Sequence, residues 1–500
     1  MASDQKNVTP GFLSTGISGL DNILSGGLTR DRLYLVEGEP GSGKTTMGLQ
    51  FLREGARLGE PVMYISLSEN EVEVRAVAES HGWSMDGIHI HEVIPSEDIL
   101  DPKEQYTLFH PSEVEMGNTT QNILAAVEKL KPTRVVLDSL SELQLLAGSS
   151  LRYRRQVLAY KQFFATRSCA VMLLDDRAAS GADQQVRSIA HAVITLEQST
   201  KDYGSERRRL RIAKYRGVAF RGGMHDYSIV RGGLVVYPRL VASESRVPVG
   251  NEQFSSSLPE LDLLLGGGLE AGSSTLISGP PGTGKSSLAA QFVSVATKRN
   301  LSAAMFLFEE SANNLLNRAD GMGMDLRTAI DNGKLLMRQI DPAELSPGEF
   351  AHAVCQAAES GAKVVVIDSL NGYLNAMPDE RFLTIHLHEL LTFLGQRGVV
   401  TILVGVQQGM LGTMTTTVDA SYLSDNVIML RYFEAGGEVR QAISVFKKRG
   451  SQHERTIREY KMSSDGIHVG PVLRQFHGIL TGVPTLLDVP AEETGGHDAC

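Results

Sequence analysis

The chain has 500 residues, of which 42% are apolar and 21% are charged, and its formal net charge is −10. This composition is typical of a soluble globular protein of two or three domains, and the acidic balance argues against a surface that coats nucleic acid. The N-terminal stretch MASDQKNVTP lacks a signal pattern, and no apolar run approaches the roughly 18 residues of a membrane span. The three cysteines form no C-x-x-C metal pair. We expect a cytoplasmic protein that does not cross a membrane.

The first predicted strand–loop–helix lies in RLYLVEGEPGSGKTTMGLQ, where residues 38–45 match G-x-x-x-x-G-K-[ST] in full. Glycines let successive backbone N–H groups turn towards phosphate oxygens, the lysine neutralises the outer phosphates, and the hydroxyl binds Mg2+. The loop therefore predicts an ATP site, with Thr45 as a ligand of Mg2+. The residues expected to hold the nucleotide are Gly38, Glu39, Pro40, Gly41, Ser42, Gly43, Lys44, Thr45 and Thr46.

Carboxylates end two later predicted strands. Asp138 ends the apolar run TRVVLD, where it can orient Mg2+ or its waters beside the P-loop hydroxyl. Glu69 ends the run VMYISLSE and can polarise an attacking water or hydroxyl. The alternatives are an aspartate that caps the next turn and a surface glutamate that opens a loop.

Two cations follow late in the first half of the chain. In RIAKYRG, strand alternation places Lys214 and Arg216 on the same face. Two cations fixed together suit the charge that develops on a γ-phosphate, and we predict that role for them. An ordinary basic strand edge is the alternative.

The whole pattern then occurs a second time. A register of 241 residues carries Asp21 to Asp262 and Lys44 to Lys285 without a gap, and the later motifs recur at offsets of 230 and 233. Two matches in the same strand–loop–helix context make an accidental motif improbable. The second set expected to hold nucleotide is Gly279, Pro280, Pro281, Gly282, Thr283, Gly284, Lys285, Ser286 and Ser287.

The second copy repeats the other roles with one difference. Glu309 and Glu310 stand where the first copy has Ser68 and Glu69, so one copy has two carboxylates where the other has one. The equivalent residues are Ser286 and Asp368 for Mg2+, Glu309 and Glu310 for the nucleophile, and Lys447 and Arg449 for the γ-phosphate.

Duplication over so long a period predicts two whole domains in tandem rather than a solenoid. We predict a first domain at residues 1–240, a polar linker at 241–257, a second domain at 258–485 and a mobile tail at 486–500. Runs such as RVVLDS and KVVVIDS are apolar throughout, which is typical of parallel strands covered on both faces. The predicted fold class is α/β, with a mostly parallel sheet flanked by helices in each domain.

These residues resemble the KaiC family, the two-domain, RecA-like ATPases of the bacterial clock and their relatives, over roughly residues 12–485. The resemblance rests on GLDNILSGGL with GEPGSGKTT, on FEES, on FKKRG followed by IREYKMSSDGI, and on ILTGVPT. It implies tandem RecA-like P-loop NTPase domains and an ATP-dependent homohexameric double ring with ATP between subunits. It also implies ATP hydrolysis chiefly in the first ring and Ser/Thr autokinase activity in the second.

The resemblance implies further that Lys214 with Arg216, and Lys447 with Arg449, reach the γ-phosphate of the adjacent subunit. KaiB-like or other signalling proteins are the partners that it suggests. Clock members carry adjacent Ser and Thr phosphoacceptors, whereas the matching stretch VDASYLSDNVIMLRY has Ser421 followed by Tyr422. A two-site Ser/Thr cycle cannot run unchanged through this pair, so we expect an ATPase and autokinase that acts as a nucleotide-driven hexameric signalling or clock-type switch.

The phosphoacceptor candidates lie in this stretch. Ser421 comes first, and Ser424 and residues 415–417 follow it. The alternative is an ordinary turn whose serines bond the local backbone.

Two other functions stay open. A RecA/RadA-like DNA-dependent ATPase is suggested by the basic run YGSERRRLRIAKYRG, with Arg207, Arg208 and Arg209 together. The acidic net charge and the full-length duplication argue against it. A scaffold that assembles with ATP but hydrolyses little is the other alternative.

Overall fold

The computed structural model describes residues 11–93, 111–176, 183–200, 204–242, 250, 252–341, 343–375, 382–407, 421–479 and 485–486. The chain divides into two compact units, unit 1 with residues 1–239 and unit 2 with residues 240–500. Linker residues 243–249 and 251, the candidate acceptors at 415–417 and tail residues 487–500 lie outside the described residues.

Unit 1 alternates strands and helices before it ends in strands alone. Its elements are β1 (Phe12–Leu13), α1 (Ser18–Ile23), β2 (Leu28–Thr29), β3 (Leu33–Gly38), α2 (Lys44–Arg57), β4 (Val62–Ser66), α3 (Glu71–Ser80), β5 (Ile88–Glu92), α4 (Pro111–Leu130), β6 (Arg134–Asp138), α5 (Leu140–Ala147), α6 (Ser150–Ala165), β7 (Ala170–Asp176), α7 (Asp183–Ile189), β8 (Ala192–Ser199), β9 (Arg207–Tyr215), β10 (His225–Val230) and β11 (Gly233–Tyr237).

Nine of these strands form one sheet in the order β11-β10-β9-β8-β3-β7-β6-β4-β5. The six strands from β8 to β5 pair in parallel, and β9 to β11 add an antiparallel edge. The residues of β3, β4 and β6 are buried throughout, and apolar clusters pack on both faces of the sheet. Strands buried on both faces require the continuous apolar runs seen in the sequence.

The described elements of unit 2 follow a similar order, with a second helix before the fifth strand and two short strands at the end. They are β12 (Gln253–Phe254), α8 (Pro259–Leu264), β13 (Leu269–Glu270), β14 (Ser274–Gly279), α9 (Lys285–Lys298), β15 (Ser302–Leu307), α10 (Ala312–Asp320), α11 (Leu326–Asp331), β16 (Leu335–Gln339), α12 (Pro347–Glu359), β17 (Ala362–Asp368), α13 (Leu370–Asn375), α14 (Leu383–Gln396), β18 (Val400–Val406), β19 (Asn426–Ala435), β20 (Glu438–Lys448), β21 (Ile457–Ser463), β22 (Gly466–Val472), β23 (Phe476–His477) and β24 (Thr485–Leu486).

Its nine-stranded sheet has the order β16-β15-β17-β18-β14-β19-β20-β21-β22. Counted from the opposite edge, the equivalent strands of unit 1 have the same order. The predicted α/β class with two tandem, mostly parallel sheets is therefore confirmed. In both sheets the P-loop strand, β3 or β14, lies between strands that come much later in the chain. The carboxyl ends of neighbouring parallel strands thus meet at the P-loop, as expected for α/β sheets.

Each P-loop passes directly into a helix. Gly43 and Gly284 cap α2 and α9 with φ of 93° and 91°, a left-handed conformation that favours glycine. Space is a second constraint, because a Cβ at Gly43 would lie 2.7 Å from Ile229 Cδ1. The loop thereby directs free N–H groups at the start of a 14-residue helix towards one point.

Within the described residues, no helix is both long and apolar enough to cross a lipid bilayer. Cys169 and Cys355 are buried and form no disulfide.

Candidate functional site

In unit 1 the P-loop lysine is held on three sides. Lys44 Nζ donates to the carbonyl oxygens of Gly38 and Glu39 at 3.0 and 2.9 Å, and it forms an ion pair of 2.7 Å with Asp176. Asp176 ends β7 and lies opposite Gly38 in the parallel ladder. Asp176 is a site residue that was missed in the sequence, although an acid at the end of an apolar strand is the same signal that identified Asp138.

The predicted Mg2+ ligands of unit 1 come together across 93 residues of sequence. Thr45 Oγ1 donates to Asp138 Oδ2 at 2.9 Å, and the Tyr64 hydroxyl donates to the same oxygen at 2.5 Å. Asp138 is buried, and burial raises the pKa of its carboxyl group. The two hydroxyl groups offset part of that cost. Tyr64 is a further site residue that sequence reasoning missed.

Unit 2 builds the same pair. Ser286 is hydrogen-bonded to Asp368, and burial raises the pKa of this carboxyl group to about 6. Asp368 Oδ2 is buried and has no hydrogen-bond partner within the described residues. Lys285 Nζ donates to Pro280 O at 2.7 Å, and burial lowers the pKa of this ammonium group to about 8.

An orphaned carboxylate oxygen beside a P-loop hydroxyl fits Mg2+, which prefers oxygen ligands. Among the described residues, no group of three or more His, Cys, Asp or Glu side chains could hold a metal ion. The hydroxyl and the aspartate would therefore share the ion with phosphate oxygens and water, as Mg2+ sites of nucleotides usually do.

The three glutamates near these pairs differ in their partners. Glu69 Oε2 is buried without a hydrogen-bond partner in the described part of the chain, and burial together with the charge of Asp138 raises its pKa. Glu309 Oε1 accepts a hydrogen bond of 2.7 Å from Ser369 Oγ, on the residue after Asp368. Glu310 is bound to Arg318.

The K-x-R cations bind backbone carbonyls in their own unit. Lys214 Nζ and Arg216 Nη2 both donate to the segment at the end of α7, at 2.6 Å to Arg187 O and 2.6 Å to Ser188 O. In unit 2 the equivalent contacts reach the acceptor segment, where Lys447 Nζ lies 2.7 Å from Ser421 O and 2.6 Å from Ser424 O, and Arg449 Nη2 lies 3.1 Å from Tyr422 O. Each Lys–Arg pair thus binds the backbone of one short segment of its own unit.

The two candidate serines differ in exposure. Ser424 is 0% exposed. Ser421 is half-buried and lines a cavity of about 420 Å³ together with Ser278, Gln407 and Lys447. Tyr422 beside it is 56% exposed.

Antiparallel strands at the sheet edge cover the P-loops, and their residues were missing from the sequence analysis. The Tyr227 hydroxyl donates to Ser42 O at 2.6 Å, and Ile229 lies against Gly43. In unit 2, Met462 of β21 lies against Gly284. These contacts depend on the hairpin register, for which the sequence carries no motif.

The basic run of β9 is largely neutralised. Arg208 pairs with Glu206, Arg209 with Asp226 and Arg211 with Glu197, at 2.5, 3.3 and 3.8 Å. Arginines that carry acidic partners are poor ligands for a phosphate backbone, so the structure gives no support to a DNA-dependent ATPase.

Comparison with known proteins gives consistent matches. The family model "ATPase: KaiC" matches residues 13–241 and 254–474. The circadian clock protein KaiC3 of Synechocystis sp. is 28% identical over 483 residues, covering 94% of this chain and 94% of that protein. The circadian clock oscillator proteins KaiC of Acaryochloris marina and Synechococcus elongatus are 27% and 28% identical, over 97% and 95% of this chain and 93% and 92% of their own length.

The pKa of Lys285 leads to a testable pH dependence. Below pH 8 the ammonium is charged and binds phosphate, and as the pH rises through about 8 the proton is lost from the empty site. In a Lys44→Ala background, the affinity of unit 2 for a fluorescent ATP analogue should fall about tenfold between pH 7 and pH 9. Lys285→Arg keeps its charge and should show a flat profile. A flat profile with Lys285 in place would contradict the assignment.

Proposed function

The chain belongs to the KaiC family of ATPases, and we propose that it binds ATP with Mg2+ at both P-loops, hydrolyses it, and autophosphorylates on a serine of unit 2. One observation carries this proposal. In both units a P-loop hydroxyl is hydrogen-bonded to a buried aspartate that ends the next strand but one in the sheet, beside the P-loop lysine. Thr45 with Asp138, and Ser286 with Asp368, would hold Mg2+, which would neutralise negative charge on the phosphates.

Hydrolysis needs a carboxylate that can take a proton from water. We assign this role to Glu69 in unit 1, whose charge is coupled to Asp138, and to Glu309 in unit 2, whose charge is coupled to Asp368 and Lys285. Glu310 is also coupled to Asp368, but it forms an ion pair with Arg318. We assign hydrolysis chiefly to unit 1, as in the family, and phosphoryl transfer to unit 2.

The hydrolysis proposal is tested by the two P-loop lysines. Lys44→Ala should remove most phosphate release, because the outer phosphates lose their cation, whereas Lys285→Ala should remove a minor part. The wild-type rate should lie below the roughly 10 per second of a typical enzyme. Exposed Lys129→Ala is the matched control and should behave as wild type. The reverse ranking of Lys44→Ala and Lys285→Ala would assign hydrolysis to unit 2.

Self-assembly is supported by apolar side chains in contact with water. On α6, Leu151 and Leu158 are 59% and 41% exposed and lie two helical turns apart on one face. Phe382 and Ile385 are exposed at the start of α14 in unit 2. Such surfaces are typical of interfaces. We propose a homohexamer in which Lys214 with Arg216, and Lys447 with Arg449, complete the nucleotide sites of the neighbouring copy.

If cations from one copy complete the site of the next, ATP stabilises the ring by mass action. Size-exclusion chromatography with light scattering should show a hexamer in Mg-ATP and smaller species without it. The double variant Leu151→Asp/Leu158→Asp should dissociate the ring, while Leu58→Asp, an exposed leucine at the end of α2, should leave it intact. A monomer at saturating ATP would contradict the proposal.

Transfer of the γ-phosphoryl group to a hydroxyl needs a held phosphate, a cation for its charge and a carboxylate near the nucleophile. Unit 2 has Lys285, the Lys447 and Arg449 pair, and Glu309. Ser421 is our first acceptor because its side chain is partly accessible and its backbone is bound by Lys447. Ser424 is second, since its hydroxyl is fully buried.

Mass spectrometry after incubation with Mg-ATP tests this assignment. Ser421→Ala should remove the main phosphopeptide, and Ser424→Ala should keep it. Glu309→Gln should abolish phosphate incorporation while ATP binding and assembly stay intact, because the amide cannot accept the proton. If wild-type protein carries no phosphorylated hydroxyl after long incubation, the autokinase proposal is wrong and only the ATPase proposal stands. The predicted cytoplasmic location and KaiB-like partners stay predictions.

A further inference from the structure

The glutamates of the two units can be compared residue by residue, because α3 and α10 are equivalent without a gap. The helices begin at Glu71 and Ala312, which are 241 residues apart. Each begins three residues after the equivalent positions Ser68 and Glu309. Asn70 and Ser311 are their N-caps. Differences between the units around these helices are therefore side-chain differences on a shared backbone.

In unit 2, Arg318 on α10 binds both oxygens of Glu310. The Nη1 to Oε1 distance is 2.5 Å and the Nη2 to Oε2 distance is 2.7 Å. Arg318 Nε also donates to Ser287 Oγ at 3.1 Å, on the residue after the P-loop hydroxyl. A bidentate guanidinium holds a carboxylate in one orientation. Glu310 is thus anchored to the P-loop helix.

Glu309 has a different partner. It accepts from the hydroxyl of Ser369, and this neutral contact leaves acceptor capacity on its oxygens. Its charge also supports the charged form of Lys285, the cation of the P-loop. The two adjacent glutamates of unit 2 are therefore unequal.

Unit 1 lacks the arginine clamp, the bidentate contact that Arg318 makes with Glu310 in unit 2. Val77 occupies the position of Arg318, and Ser68 occupies the position of Glu309. Glu69, at the position of Glu310, keeps a buried oxygen without a hydrogen-bond partner in the described residues. Thr46, at the position of Ser287, contacts His81 at 3.3 Å instead. The carboxylate that is restrained in unit 2 is available in unit 1.

We propose that Arg318 is a positioning residue that withdraws Glu310 from catalysis and leaves proton transfer in unit 2 to Glu309, whereas Val77 leaves Glu69 available for it in unit 1. This inference rests on the proposed ATPase function. During hydrolysis a water oxygen bonds to the γ-phosphorus while the bond from that phosphorus to the β–γ bridging oxygen breaks. The water proton passes to the glutamate, which later returns it to solvent, and ADP leaves.

The first test asks whether Glu310 can be released. In a Glu69→Gln background, which limits hydrolysis to unit 2, adding Glu309→Gln should lower phosphate release about a hundredfold. Further addition of Arg318→Val, which copies unit 1, should raise the rate of phosphate release about tenfold above that double variant, because Glu310 is then free. A purely structural arginine would give no rescue, and absence of rescue with ATP binding intact would overturn the proposal.

The second test installs the clamp in unit 1. In a Glu309→Gln background, Val77→Arg should lower phosphate release about a hundredfold, because the new guanidinium binds Glu69. Val77→Met has similar length without charge and should stay within about twofold. Unchanged release in Val77→Arg, or an equal loss in Val77→Met, would overturn the proposal. Wild-type protein without any phosphate release would instead remove the proposed function itself.

Discussion

The structure depends on one interaction made twice, the hydrogen bond between the P-loop hydroxyl and a buried strand-end aspartate. Thr45 can reach Asp138 only because β3 and β6 are both parallel neighbours of β7, which brings their carboxyl ends to one edge of the sheet. A buried carboxylate is unfavourable unless hydroxyl groups or a cation compensate it. Hydroxyl donors from the start of the helix and, in unit 1, from Tyr64 supply part of that compensation. The apolar strands, the left-handed glycines and the helix start all serve to place these few atoms.

Around this shared pair the two copies have diverged in their cores. In unit 1, Arg134 is fully buried and binds Glu60 at 2.5 Å, the Ser14 carbonyl at 2.7 Å and the Phe51 carbonyl at 3.1 Å. Gly55 makes room for it, since a Cβ there would lie 2.7 Å from Arg134 Cδ. In unit 2 the same two positions carry Val364 and Ala296. A large polar side chain with a glycine has been exchanged for two small apolar residues, which is the volume compensation that a close-packed interior requires.

Much of this could be predicted from the sequence, for physical reasons that also set the limit. P-loop spacing and continuous apolar strands are local properties, so the α/β fold, the duplication and the pairing of hydroxyl with aspartate could be expected. The ion pair between Lys44 and Asp176, and the cover of Tyr227 over Ser42, depend on which strands are neighbours and in which register. Neither contact can be predicted from the local sequence. The burial of Ser424 is likewise a tertiary property, because SYLSD reads as an ordinary polar turn.

The same motif therefore does not produce the same electrostatics. In the parallel ladders, Asp176 stands opposite the P-loop glycine of unit 1, and Val406 stands opposite that of unit 2. Lys44 consequently has a carboxylate partner, and a phosphate that reaches it must compete with Asp176 for the ammonium. Lys285 is desolvated by burial, and the charges of Asp368 and Glu309 offset that effect only in part, so the pKa of its ammonium group is lowered. A phosphate dianion beside Lys285 would supply the missing negative charge and favour the protonated form. A phosphate would thus replace an existing anion beside Lys44 in unit 1, and in unit 2 it would complete the partial compensation of Lys285. The two sites are therefore chemically distinct despite identical P-loop spacing.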